Sequence, residues 1–169
     1  MKKINLILAL LVVGLAAQFA LGQKSKPEDL QMLVKAARFL EAKPLDKNAK
    51  DVRAWAVAFL IEAKDVHLLI CGGELMEPVL DKKNKYSTEL IGQYLIGMGA
   101  FKIENADKAD DENAAQLAGL ESLLKVYEQI LAEKPKARHD GMDALLAKRN
   151  QNQLRDAVIA AACTKKSDK

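Results

Sequence analysis

An all-α fold, a compact antiparallel helix bundle or helix-hairpin stack of about six helices, is what this sequence predicts. Three observations carry the prediction. Apolar residues recur at steps of three and four through most of the chain beyond Gln23. Aromatic residues make up only 5% of the sequence, while Ala, Leu, Lys and Glu abound. The connections between periodic segments are short and punctuated by proline, glycine or asparagine, which sets consecutive helices side by side.

The first residues, MKKINLILALLVVGLAAQFALGQ, have the pattern of an export signal. Lys2 and Lys3 form a positive start, an apolar run follows from Ile4 to Ala17, and small residues stand at Ala20 and Gly22 ahead of a cut before Gln23. The run is short for a membrane span and lacks a basic stop-transfer flank, so no stable membrane anchor is expected after cleavage. The lack of a cysteine near the cut excludes a lipid-modified N-terminus. Residues 1–22 are thus expected to be removed, leaving a single helical domain of residues 23–169 in the periplasm or outside the cell. The Lys-Lys start and the ALGQ ending have a bacterial look. Losing Lys2 and Lys3 takes the formal charge from +3 to +1. That near-neutral balance offers no electrostatic reason for nucleic acid or an anionic membrane as a partner.

Pro27 suits the first helical position, and Glu28 and Asp29 suit the positive end of the helix dipole. Leu30, Leu33, Ala37 and Leu40 give this helix its apolar face, and Lys43-Pro44 ends it. A second helix is expected from Asn48 to Ala63, with Val52, Trp55, Phe59 and Leu60 inward and Trp55 in the core. Asp65 to Ile70 fits extended chain or one helical turn equally. Gly72-Gly73 interrupts, and ELMEPVLDKKN predicts a short helix with Pro78 in its first turns.

Ser87 is expected to cap the next helix. Its residues Leu90, Ile91, Tyr94, Leu95, Ile96, Met98, Phe101 and Ile103 surround nearly its whole circumference, which predicts a helix buried on all sides at the centre of the domain. Gly92, Gly97 and Gly99 each cost about 1 kcal/mol of helix propensity, so close approach of neighbouring helices is expected there. After the polar connection ENADKADDEN, Asp110 or Asp111 caps a helix running through Glu133. Leu117, Leu120, Leu124, Tyr127 and Leu131 form its apolar stripe, and Glu121 and Lys125 suit a surface pair. Pro135 ends it. One last long helix follows, or two with a break near Asn150 to Asn152, with Leu145, Leu146, Leu154, Val158 and Ala162 inward; the tail 164–169 is expected to fray.

The segments ARFLEAKP and DVRAWAVAFLIEAKDV, the lone Cys71, and then YSTEL and GMGAFKIEN resemble a group of small exported all-helical bacterial proteins with no assigned function. The resemblance is clearest from Ala37 to Asn105 and brings no catalytic motif. FLEAKPLDKNAKDVRAW and ILAEKPKARHDGMDALL also echo each other, about 91 residues apart, as helices that end at Lys-Pro. Tetratricopeptide-like repeats use that arrangement, although their Trp, Gly and Tyr pattern is missing here.

The stretch HLLICGGE has the strongest look of chemistry. His67 and Cys71 share a side in a helix or a strand, as a thiol-dependent hydrolase would require. Such dyads, however, usually join residues distant in sequence, and no orienting Asn or Asp is identifiable. Zinc needs three or four ligands, and only His139 and Cys163 remain, each isolated. In an oxidising compartment Cys71 and Cys163 can instead form a disulfide, or stay as two separate buried thiols. Gly72-Gly73 is then a backbone turn. The acids Glu104, Asp107, Asp110, Asp111 and Glu112 lack the EF-hand frame and suit a solvated loop with a helix cap. Glu74 and Glu77 suit a helix start, and Lys82, Lys83 and Lys85 a solvated turn. The sequence contains no Gly-rich phosphate loop, nucleophile elbow, HExxH or haem-attachment cysteine pair.

The sequence therefore predicts a non-catalytic protein-binding module with no cofactor or metal and with another exported protein as partner. A small thiol-dependent hydrolase centred on Cys71 and His67 is one alternative. A carrier of an apolar ligand beside the glycine-bearing central helix is the other.

Overall fold

The computed structural model describes residues 24–161. The expected export signal, Ala162, Cys163 and the tail 164–169 lie outside the described residues. Among those described there are seven α-helices and no strands. They are α1 (Pro27–Ala42), α2 (Ala49–Glu62), the single turn α3 (Glu77–Leu80), α4 (Ser87–Glu104), α5 (Glu112–Glu133), α6 (Asp140–Asn150) and α7 (Leu154–Ala160). The fold is the all-α helix bundle expected from the periodicity. The C-terminal pattern divides into α6 and α7 at Asn152, whose φ of 57° is left-handed.

Helix α4 is apolar all round because it feeds two cores. Leu90, Tyr94 and Met98 recur every four residues and pack with Leu120, Leu123, Leu124, Tyr127 and Ile130 of α5, backed by α3, α6 and α7. Ile96 and Ala100, on another face, pack with Leu33, Ala37 and Leu40 of α1 and Ala56 and Leu60 of α2. The most extensive helix contact in the molecule is that of α4 with α5. Its closeness depends on glycine from both sides. A Cβ on Gly97 would lie 2.5 Å from Ser122 Cβ, and one on Gly119 would lie 2.8 Å from the Tyr94 carbonyl oxygen. Gly99 makes room for Leu60 in the same way.

Polar groups lock the three long helices together. Glu41 of α1, largely buried, accepts from the Ser122 hydroxyl at 2.7 Å and from Arg38 at 2.9 Å. Gln93 of α4, fully buried, donates to Ser122 Oγ at 2.8 Å and to the Ala37 carbonyl at 3.3 Å. Lys125 completes the cluster with an ion pair to Glu41 at 3.3 Å. The expected partner of Lys125 was Glu121, one turn away on the same helix. Tertiary packing overrides that pairing, because α1 carries Glu41 within reach.

Two further expectations are corrected. Ser87 does not cap α4; Tyr86 holds the cap position, with no side-chain cap bond. The buried Asn84 has already turned the chain, accepting from the Tyr86 N–H at 3.1 Å and donating to the Pro78 carbonyl at 3.1 Å. Asp111, as expected, caps α5 by accepting from the Ala114 N–H at 3.0 Å. The second correction concerns Trp55, which packs against the core as expected but only half-buried, at its edge, whereas Arg53 of the same helix is buried.

Replacing Gly119 by Ala drives a methyl group against the Tyr94 backbone and should destabilise the protein by about 1–3 kcal/mol despite the gain in helix propensity. At Gly92 the added methyl meets the flexible Arg53 side chain instead. Gly92→Ala should therefore stay within about 1 kcal/mol of wild type. Urea unfolding of the two variants checks the contrast.

Candidate functional site

The HLLICGGE stretch has no regular secondary structure, so its backbone groups need partners elsewhere. Two buried side chains supply them. Gln116 of α5 donates to the Leu69 carbonyl and accepts from the Tyr94 hydroxyl of α4. Tyr94 also meets the Cys71 backbone. Burial pushes the Tyr94 phenol up to about 12, so it remains protonated and able to donate at neutral pH. Gly73, at a φ of 85°, then starts the turn into α3, its carbonyl accepting from Met76 and Glu77. The segment is a strap sewn across the α4–α5 pair.

His67 and Cys71 open on different spaces. Cys71 lines a small pocket of about 10 Å³ with Tyr94, Gln116, Leu120, Val158 and Ala161. His67 is exposed and lines an outer cleft of about 420 Å³ with Asp65, Lys102, Asp110 and Glu112. Lys102, itself buried, pairs with Glu112 at 2.7 Å in that cleft. Among the described residues no three His, Cys, Asp or Glu are placed to hold a metal ion.

His139 has a more ordered setting than the sequence suggests. It is the N-cap of α6, with Nδ1 accepting from the Met142 N–H at 3.4 Å. That assigns the proton to Nε2, which lies 3.1 Å from Asp81 Oδ2. The Tyr127 hydroxyl accepts from the His139 N–H at 2.9 Å and donates to Asp143 at 2.8 Å, while Arg138 pairs with Asp143 at 2.8 Å. Both ring nitrogens are therefore hydrogen-bonded within the fold. This cluster joins α3, α5 and α6.

The remaining candidate is an open groove of about 530 Å³ between α1 and α2. Its floor is apolar: Met32, Ala36 and Phe39 from α1, Val52 and Trp55 from α2. Lys35, Asn48 and Asp51 stand at its rim, all exposed. Trp55 stacks on Phe59, with ring centroids 5.7 Å apart and planes within 15°. Met32 is 50% exposed. Sequence reasoning named Leu30, Leu33, Ala37 and Leu40 as the face of α1 and passed over Met32, Ala36 and Phe39. Those three recur at steps of four and three, a second apolar stripe that was itself the available signal.

No protein-family model, curated protein or solved structure matches the chain.

The strap has a pH-sensitive anchor at its start. Ser25 donates to Asp65 from its hydroxyl at 2.5 Å and from its backbone N–H at 3.1 Å. The Ser25 hydroxyl is the main reason that the Asp65 carboxyl is held below its usual value of 3.8. A lowered carboxyl contributes stability that is complete above the unfolded value and is lost as the pH falls through the folded one. Acidification below 3.8 should therefore release the Ser25 amide to exchange. In Ser25→Ala the Asp65 pKa should rise back toward 3.8, which an NMR titration measures.

Proposed function

We propose that this chain is an exported, non-catalytic protein-binding module, and that the groove between α1 and α2 is its binding surface. One observation carries the reading: an almost wholly apolar floor with a half-exposed aromatic pair and a polar rim. Interfaces combine an apolar, aromatic-rich centre with a hydrated polar edge in this way. Export rests on the N-terminal sequence pattern, and the likeness to small exported helical proteins points the same way.

The two alternatives have less support. A thiol-dependent hydrolase needs a free sulfur beside its base, whereas Cys71 and His67 line separate spaces and the described residues contain no free cysteine. An apolar-ligand carrier needs room beside the central glycines. Side chains of Arg53, Ser122 and Leu60 already occupy the space next to Gly92, Gly97 and Gly99. The pocket of about 10 Å³ beside Cys71 has room for at most one water.

We also propose that Cys71 is bridged to Cys163. Ala161, two residues before Cys163, lines the same cavity as Cys71, which supports the pairing. Such a bridge ties the end of the chain to the strap and closes a loop worth up to about 4.7 kcal/mol in the chain-entropy model.

A photo-reactive residue at Met32 is expected to give a discrete cross-linked adduct in the exported fraction. The same residue at Ile61, 79% exposed but outside the groove, should give none. Equal labelling from both positions, or from neither, would count against the groove. For the cysteines, intact mass with an alkylating agent should show no uptake until the protein is reduced. Rapid uptake by native protein would sink the bridge and revive the thiol reading.

A further inference from the structure

The groove has a property beyond its apolarity. Its α1 wall carries one cation, Lys35, and its α2 wall carries one anion, Asp51, both exposed. Among the described residues, neither takes part in an ion pair, so both are open to a charge on a partner. The two charges flank the floor formed by Met32, Ala36, Phe39, Val52 and Trp55. We propose that this groove is covered by a second copy of the same chain, across a two-fold axis that sets Lys35 of each copy against Asp51 of the other. The proposal rests on the reading of the groove as a binding surface and names its occupant.

The argument is one of symmetry. When two identical faces meet about a two-fold axis lying in their contact plane, the axis midway between two points exchanges them. An axis placed midway between Lys35 and Asp51 runs across the apolar floor and forms the same ion pair twice, once on each side of it. A second copy therefore supplies the matching charge and the matching apolar strip without further requirement. A foreign helix would have to carry an acid and a base at the spacing that this chain already has. The chain's formal charge of +3, reduced to +1 once Lys2 and Lys3 are removed, puts little self-repulsion in the way. The same axis that exchanges the two walls sets Trp55 of one copy against the α1 side of the other, where an aromatic side chain loses little entropy on docking.

Charge reversal tests this directly. Lys35→Asp places acid against acid at both contacts, and Asp51→Lys places base against base. Both positions are exposed, so folding should be unchanged, which circular dichroism checks for each variant. Sedimentation equilibrium of the wild-type protein should show a monomer–dimer equilibrium. Each single variant should associate at least about tenfold more weakly, since two exposed pairs become two repulsions. An equimolar mixture of the two variants should recover wild-type association, because every contact then joins an acid to a base. Trp55 emission should shift to the blue on dimerisation of the wild type and of the mixture alone.

A wild-type protein that is monomeric at every concentration overturns the proposal, as does dimerisation that neither reversal weakens. The Met32 cross-link separates this failure from failure of the parent reading. An adduct with a different protein would leave the groove as a binding surface and remove only self-association. No adduct together with a monomer would remove both.

Discussion

The closeness of α4 and α5 is the constraint from which the rest of the architecture follows. Gly97 and Gly119 place bare backbone where the two helices meet, one from each helix, so side chains flanking the contact can interdigitate rather than hold the helices apart. Once the pair is that tight, Tyr94 and Met98 lie against α5 on one side while Ile96 and Ala100 are left to face α1 and α2. A helix that is oily on every face would be a liability alone; between two layers it becomes the wall that both cores share. The same closeness puts Ser122 of α5 where it can reach past Gly97 to Glu41 of α1. The buried polar cluster is thus a consequence of the glycines as well as a lock upon them.

Hydrogen bonding explains why an irregular segment can lie over this core. Each polar backbone group withdrawn from water without a partner costs roughly 1–3 kcal/mol, several times the net worth of most single contacts. The strap from Val66 to Gly73 has no ladder or helix to satisfy it. Gln116 and Tyr94 substitute by reaching up from the helices beneath, and the depth that raises the Tyr94 phenol to about 12 also keeps its proton available. His139 plays the same part at the other end of the bundle, spending both ring nitrogens on the chain around it.

What could be read from the residues divides along the same lines. The helices were legible because their signals are local: a 3.6-residue period, Pro27 and Asp111 at starts, Pro44 and Pro135 after ends. The break near Asn152 was one of two readings that the polar run there left open. Features set by a distant partner were not legible. Lys125 has a plausible acid at Glu121, and only the packing of α1 shows that Glu41 wins. Ser87 has the composition of a cap, but Asn84 and Pro78 settle the helix start from outside it. His67 and Cys71 keep the spacing that made them a candidate pair, yet without a regular backbone that spacing no longer puts them on one face. The groove escaped because periodicity was used to find one stripe on α1, when the helix carries two.

That second stripe bears on how the outer hairpin is put together. Helix α2 turns Ala49, Arg53, Ala56 and Leu60 inward and leaves Trp55 and Phe59 half-exposed. For stability alone the arrangement is inverted, since a fully buried aromatic side chain contributes about 1.5–3 kcal/mol and a buried guanidinium must be compensated. Arg53 is partly compensated, donating to the Pro44 carbonyl at 3.2 Å and lying across Gly92, while burial pulls its pKa down against the opposing pull of Glu89. Its aliphatic stem serves as packing and its head ties α2 to the end of α1. With Ala49, Ala56, Leu60 and one buried arginine on its inner face, α2 packs on α4, and its rings lie at the edge of that core, half in and half out. Trp55 therefore serves two surfaces at once: one side lies against the core, and the other shares the groove floor with Met32, Ala36 and Phe39 of α1.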